Sequence, residues 1–125
     1  MAVVHTTAIR NAIADLVVDA IDAGAAAGTL EFQTAGDVEV ATLTFSDPAF
    51  GAAAGGTATA SAITSDTSAT GGTIAKARLK SSTPTEVLSC SVTATGGGGD
   101  IELNSLVISA GQQVSVSSLT YTAPA

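Results

Sequence analysis

One histidine, one cysteine, one tyrosine, eleven carboxylates and four basic side chains are all the ionisable chemistry this chain carries. His5 stands in a short tail ahead of any regular pattern. A triad built on it would need the imidazole held between a nucleophile and a carboxylate, and no such frame is visible there. Cys90 lies between Ser89 and Ser91 at an inward strand position, where burial disfavours the thiolate that a nucleophile requires. A lone cysteine also excludes an intrachain disulfide, and zinc needs several Cys and His ligands. Asp15, Asp19 and Asp22 recur at spacings of four and three. They could bracket a divalent cation, but calcium sites draw ligands from irregular backbone, so the three read as a solvated helix face. Gly96–Gly99 before Asp100 resembles a phosphate loop superficially. It lacks the Lys and Ser/Thr of such loops and leads into a strand, so it reads as a turn. Glu31, Glu39 and Glu102 sit at outward strand positions with no pattern that pairs them for glycoside chemistry. No catalytic, cofactor-binding or metal-ligating residue is assigned, and the chain reads as non-enzymatic.

One charged set is patterned. Lys76, Arg78 and Lys80 alternate with Ala75, Ala77 and Leu79, so on a strand they share a face. The row is about 13 Å long from end to end. Two readings apply. Cations on an exposed edge strand discourage pairing with other molecules. Alternatively, the row meets acidic groups on a neighbouring subunit or partner. Surface pairs contribute about 0–1 kcal/mol each, so it would then set orientation and encounter rate more than affinity. These three are the candidate partner-contact residues.

The elements that must position these groups fall into two regions: residues 1–28, a helix and hinge, and residues 29–125, a β domain. Ala8–Ala23 carries Ile9, Ile13, Leu16, Val17, Ala20 and Ile21 at helical spacing, which defines an apolar face. Thr6 or Thr7 can cap its start and Gly24 is placed to end it. Ala23–Gly28 follows as a hinge.

From Thr29 the period changes to two. Leu30 and Phe32 alternate with Glu31 and Gln33. Val38–Phe45 switches parity between Val40 and Leu43, which marks a bulge or a strand crossing between sheets. Asp47-Pro48 stops that strand, Phe50 anchors the connection, and Thr57–Ile63 resumes. Thr73–Lys80 comes next. Glu86–Thr95 then places Leu88, Cys90, Val92 and Ala94 inward. Gly96–Asp100 is a hairpin connection, Ile101–Ile108 switches parity again, and Gln113–Thr122 closes the pattern. Seven to eight short strands with one N-terminal α-helix predict a mainly β fold, an antiparallel β-sandwich or jelly-roll.

The net charge of −7 argues against nucleic acid, which needs a basic footprint. No stretch approaches the roughly 20 apolar residues of a membrane span, and no secretory signal is visible, so synthesis in the cytoplasm is expected. Small side chains dominate, with three Phe and one Tyr the only aromatics. A core of such residues buries little area, and neighbouring subunits are expected to add stability.

The helix NAIADLVVDAIDAGAAAGTLEF, the run LTFSDPAFGAAAGGTATASAITSDTSAT and the ending ISAGQQVSVSSLTYT together resemble small virion structural proteins of tailed bacteriophages and prophages. The likeness spans nearly the whole chain, and Leu43–Phe50 and Ala62–Ala69 are its most diagnostic parts. It implies a capsid decoration (cement) protein on the outer virion surface, bound to the major capsid protein as a homo-oligomer, trimer or dimer. No binding residue carries over from it. The alternative is a tail or tail-fibre-associated module that binds a ligand. Carbohydrate binding usually needs stacked aromatic rings, and the chain has no Trp.

Overall fold

The computed structural model describes residues 3–83 and 85–123. Thr6 caps helix α1 (Thr7–Ile21), its hydroxyl oxygen accepting the Ile9 N–H at 3.3 Å. The strands are β1 (Thr29–Gln33), β2 (Glu39–Thr44), β3 (Thr57–Thr59), β4 (Gly72–Thr73), β5 (Lys76–Lys80), β6 (Glu86–Ala94), β7 (Ile101–Leu103), β8 (Val107–Ile108) and β9 (Thr120–Thr122). The chain is thus mainly β, with one α-helix among the described residues. Five strands form a curled mixed sheet in the order β2-β1-β5-β6-β7, while β3 pairs with β9 and β4 with β8.

Parity switches in the sequence mark real features. In β1–β2 the register slips where Phe32 faces Ala41 but Gln33 faces Glu39, leaving Val40 as the extra residue of a bulge. Val40, Ala41 and Leu43 are therefore all buried. Between Leu103 and Leu106 the chain leaves one sheet for another, so the single expected strand Ile101–Ile108 is two, β7 and β8. Thr73–Lys80 likewise divides into β4 and β5, whose partners differ. The expected strands Thr57–Ile63 and Gln113–Thr122 shorten to β3 and β9, with isolated bridges at Ala60 and Val114.

The connection after β6 departs from expectation. β7 runs parallel to β6, with Val92 opposite Ile101 and Ala94 opposite Leu103, so Gly96–Asp100 is not a hairpin. Parallel neighbours usually need a crossover of about a dozen residues. Here the chain simply steps back beside itself, because the overlap is three residues long. Gly96 and Gly98 have positive φ (88° and 81°), and a Cβ on Gly97 or Gly99 would come within 2.8 Å of Thr93. Glu102 accepts the Gly96 and Gly98 N–H groups at 3.2 and 3.0 Å. The donors that would make this loop a phosphate cradle already hold a carboxylate.

The two ends of the sheet differ. At β2, β1 and β5 the inward residues Leu30, Phe32, Leu43 and Ala77 are fully buried, and the Phe45 and Phe50 rings meet at a tilt of 44° with centroids 5.7 Å apart. The outer edge of β2 is also covered. Thr44 and Thr64 exchange backbone hydrogen bonds, Gly71 donates to Val40, and the Asp66 carboxylate takes the Thr42 N–H at 2.9 Å. This packs Ala62–Ala69 against Leu43–Phe50, with Ser46 Oγ donating to the Ala62 carbonyl at 2.5 Å. At β6 and β7 only Val92 and Ile101 are buried. Leu88, Cys90 and Leu103 are half-buried, and Ala94, expected inward, is exposed.

Candidate interaction surfaces

Helix α1 is turned by roughly a third of a revolution from the sequence reading: Ile21 stays buried and Val17 half-buried, while Ile9, Leu16 and Ala20 are exposed. Its buried residues are Ala14, Val18 and Ile21, of which Val18 and Ile21 join the core that holds Leu30 and Phe32. Asn11, Asp15 and Asp22 lie on the same side and accept the N–H groups of Gly56, Ala53 and Ala49, each at 2.8 Å. Asp15 and Asp22 are therefore not a solvated face; Asp19 alone of the three is exposed. The cause lies in the connection after Pro48, whose backbone donors have few strand partners. A buried N–H without an acceptor costs about 1–3 kcal/mol, more than burying one further aliphatic side chain half-way would contribute. Side chains of Asn11, Asp15 and Asp22 supply those acceptors, and Ile9, Leu16 and Ala20 of the apolar set rotate outward while Ile21 stays buried. Arg10 closes the same seam, its Nη2 donating to the Ala123 carbonyl at 3.2 Å while its guanidinium leaves no room for a Cβ on Gly56.

What rotates outward is a ridge. At 100° per residue, Ile9, Ile13, Leu16 and Ala20 fall within an arc of about 60°, opposite the buried face. Leu16 is 74% exposed and Ile9 50%. Ahead of the helix, Val3 and Val4 are 79% and 75% exposed. The helix therefore packs on its own domain by one face and offers the other.

Lys76, Arg78 and Lys80 do share a face of β5, but β5 lies between β1 and β6, so they do not guard an edge. Each already has an acid. Lys76 pairs with Asp37, Arg78 with Asp37 at 3.3 Å and Glu86 at 3.0 Å, and Lys80 with Glu31 at 3.1 Å. Arg78 Nε stands at ion-pair distance from Glu86 yet its N–H is not aimed at the oxygen, so the contact is Coulombic rather than a hydrogen bond. As a free cationic row the set does not exist; it is half of a charge lattice across the outer sheet face.

Between β6–β7 and residues 115–122 runs a groove in two joined parts. One part, about 510 Å³, is floored by Leu79, Leu88, Cys90 and Ile101 and walled by Leu119 and Tyr121. The other, about 480 Å³, lies between Asp100–Asn104 and Ser115–Thr120. Burial, with a smaller contribution from the Asp100 charge, pushes the Cys90 thiol up to about 11. The thiol stays protonated at neutral pH and behaves as an apolar lining group. Among the described residues no three His, Cys, Asp or Glu side chains gather as a metal would require. His5 lies ahead of α1 and does not line the groove. No helix among the described residues is long and apolar enough to cross a membrane. Comparison with protein-family models, with curated proteins and with solved structures returns no match to this chain.

Proposed function

We propose that the protein is a non-enzymatic virion structural protein of a tailed phage or prophage, most specifically a decoration protein that binds the outer face of the shell formed by the major capsid protein. The observation that carries this reading is the outward ridge of α1. Leu16 and Ile9 stand in solvent on a chain of net charge −7, and such an apolar ridge on an acidic protein suits burial against another protein. The two segments on which the family resemblance rests, Leu43–Phe50 and Ala62–Ala69, support it by packing together as one unit. In this reading the five-stranded sheet and the two ribbons are the layers of a sandwich left open along one side. Lys76, Arg78 and Lys80 with their acids form a polar face that orients the protein on the shell, and the assembly is a homo-oligomer. The experiment is quantification of the protein in purified particles, with antibody labelling to place it. A copy number comparable with that of the shell protein, and label over the head, are expected. A handful of copies, or label confined to the tail, overturns the proposal in favour of a tail component.

A further inference from the structure

We propose that the groove between β7 and residues 115–118 receives an extended strand from a second copy of this chain, its N-terminal arm around Val3–Thr6. Both walls of the groove present a backbone edge that has no partner among the described residues. β7 is the last strand of the sheet and pairs only with β6. Residues 115–118 make no hydrogen bond among the described residues. At the opposite edge, the outer groups of β2 are met by Thr64, Asp66 and Gly71, so β7 is the edge left to be completed.

Size agrees with one short strand. A packed strand residue occupies roughly 160 Å³, from a rise of about 3.3 Å, a strand spacing of about 4.8 Å and a sheet spacing of about 10 Å. The space of about 480 Å³ therefore holds about three residues, the length of β7 itself. The apolar part of the groove adjoins it, so alternate side chains of the incoming strand would rest on Leu88, Cys90 and Ile101 while its backbone bonds to the walls. A small apolar molecule would fill that floor but leave the backbone edges unmet.

The arm has the chemistry for this site. Val3 and Val4 are β-branched, precede the helix outside any strand, and are the most exposed large apolar residues described. Residues 3–10 carry no carboxylate, whereas Asp100 and Glu102 stand on the groove wall, so no like charge opposes the contact. A second copy explains more than an arm folded back on its own domain. Ile9 and Leu16 face outward on the helix that continues the arm, and a neighbour that takes the arm can also cover them.

Two readouts on the full-length protein test this: molar mass by light scattering across a wide concentration range, and the rate of Cys90 alkylation over the same range. The comparison is with the double variant Val3→Asp and Val4→Asp. These residues are exposed, so far-ultraviolet circular dichroism should be unchanged. The wild type is expected to exceed monomer mass as concentration rises, with Cys90 alkylation slowing several-fold in parallel. The double variant should stay monomeric with Cys90 reacting at the fast rate throughout. The proposal is overturned by a wild type that is monomeric at every concentration, by a double variant that assembles equally well, or by assembly that leaves the Cys90 rate unchanged. None of these outcomes depends on whether the protein binds a capsid.

Discussion

The two edges of the five-stranded sheet have been finished differently. β2 is bulged, covered by residues 64–71, and sealed where the Asp66 carboxylate takes the Thr42 N–H. β7 is three residues long, held parallel to β6 by a glycine loop, and faces a groove. Behind β2 and β1 the side chains are fully buried; behind β6 only Val92 is buried, while Leu88 and Cys90 are half-exposed. An exposed edge is a template for pairing, and natural sheets usually cover or charge it. A chain that seals one edge with a dedicated carboxylate and leaves the other open has placed its stability at one end and, on the strand-exchange proposal, its capacity for association at the other.

The largest expected effect comes from comparing core deletions at the two ends. Phe32→Ala removes a fully buried ring at the closed end and should cost about 3–5 kcal/mol. Leu88→Ala, on the groove floor, should cost only about 1 kcal/mol in the monomer, because its side chain is already half in water. Urea unfolding of both variants at a concentration that keeps the protein monomeric measures the difference. Equal losses would mean that the groove is closed in solution.

The helix clasp comes next. Asp15→Ala leaves the Ala53 N–H without its acceptor, and Asn11→Ala does the same to Gly56. Each should cost about 1–3 kcal/mol. Leu16→Ala, on the outward ridge, should change monomer stability by less than about 0.5 kcal/mol. The opposite ranking, with Leu16 costly and Asp15 neutral, would restore the helix orientation expected from hydrophobic spacing.

That reversal shows what the sequence could and could not convey. Strand parity was legible: the switch at Val40 is a bulge and the switch after Leu103 is a change of sheet, because a period of two allows no other way to keep both sets of residues inward. The helix was legible as an element but not in its orientation. Its apolar residues predicted the buried face only if burial were decided by hydrophobicity, whereas three backbone donors at Ala49, Ala53 and Gly56 decided it. No local pattern announces which donors a distant loop will leave open. The cation row was legible as a row, but its acids Glu31, Asp37 and Glu86 arrive from β1, the β1–β2 turn and β6 respectively, which only the strand order brings together. The groove had no signature, since it is defined by where the chain fails to pair.

A smaller effect is expected at the charge lattice. Lys80→Met removes a half-buried pair with Glu31 and should cost about 0–1 kcal/mol, less in high salt. Reversing Lys76, Arg78 and Lys80 together to Glu sets like charges against Asp37, Glu31 and Glu86, so the loss should exceed three single removals and should shrink as salt is added. Thermal unfolding at low and high ionic strength checks both. A triple variant as stable as the wild type would show that the lattice is not formed.

The smallest effect concerns Cys90, where the open end can be read by pH. Burial raises its thiol from an ordinary value of 9.0 to about 11, with the Asp100 charge adding to the rise. A thiol raised in the folded state keeps its proton there after the unfolded chain has lost it. Between about 9 and about 11 the folded state therefore binds more protons, and stability falls as pH rises through that window. Below the window the contribution is fully present and flat. Because the side chain is only half-buried, solvent screening holds the loss to the order of 1 kcal/mol or less. Cys90→Ala should remove this pH dependence while leaving the acid side of the stability profile unchanged. Alkylation gives a second measure: the rate should still be climbing at pH 10, where an ordinary exposed thiol has levelled off. A rate that has levelled off by pH 10 would place Cys90 in open water and the groove floor with it.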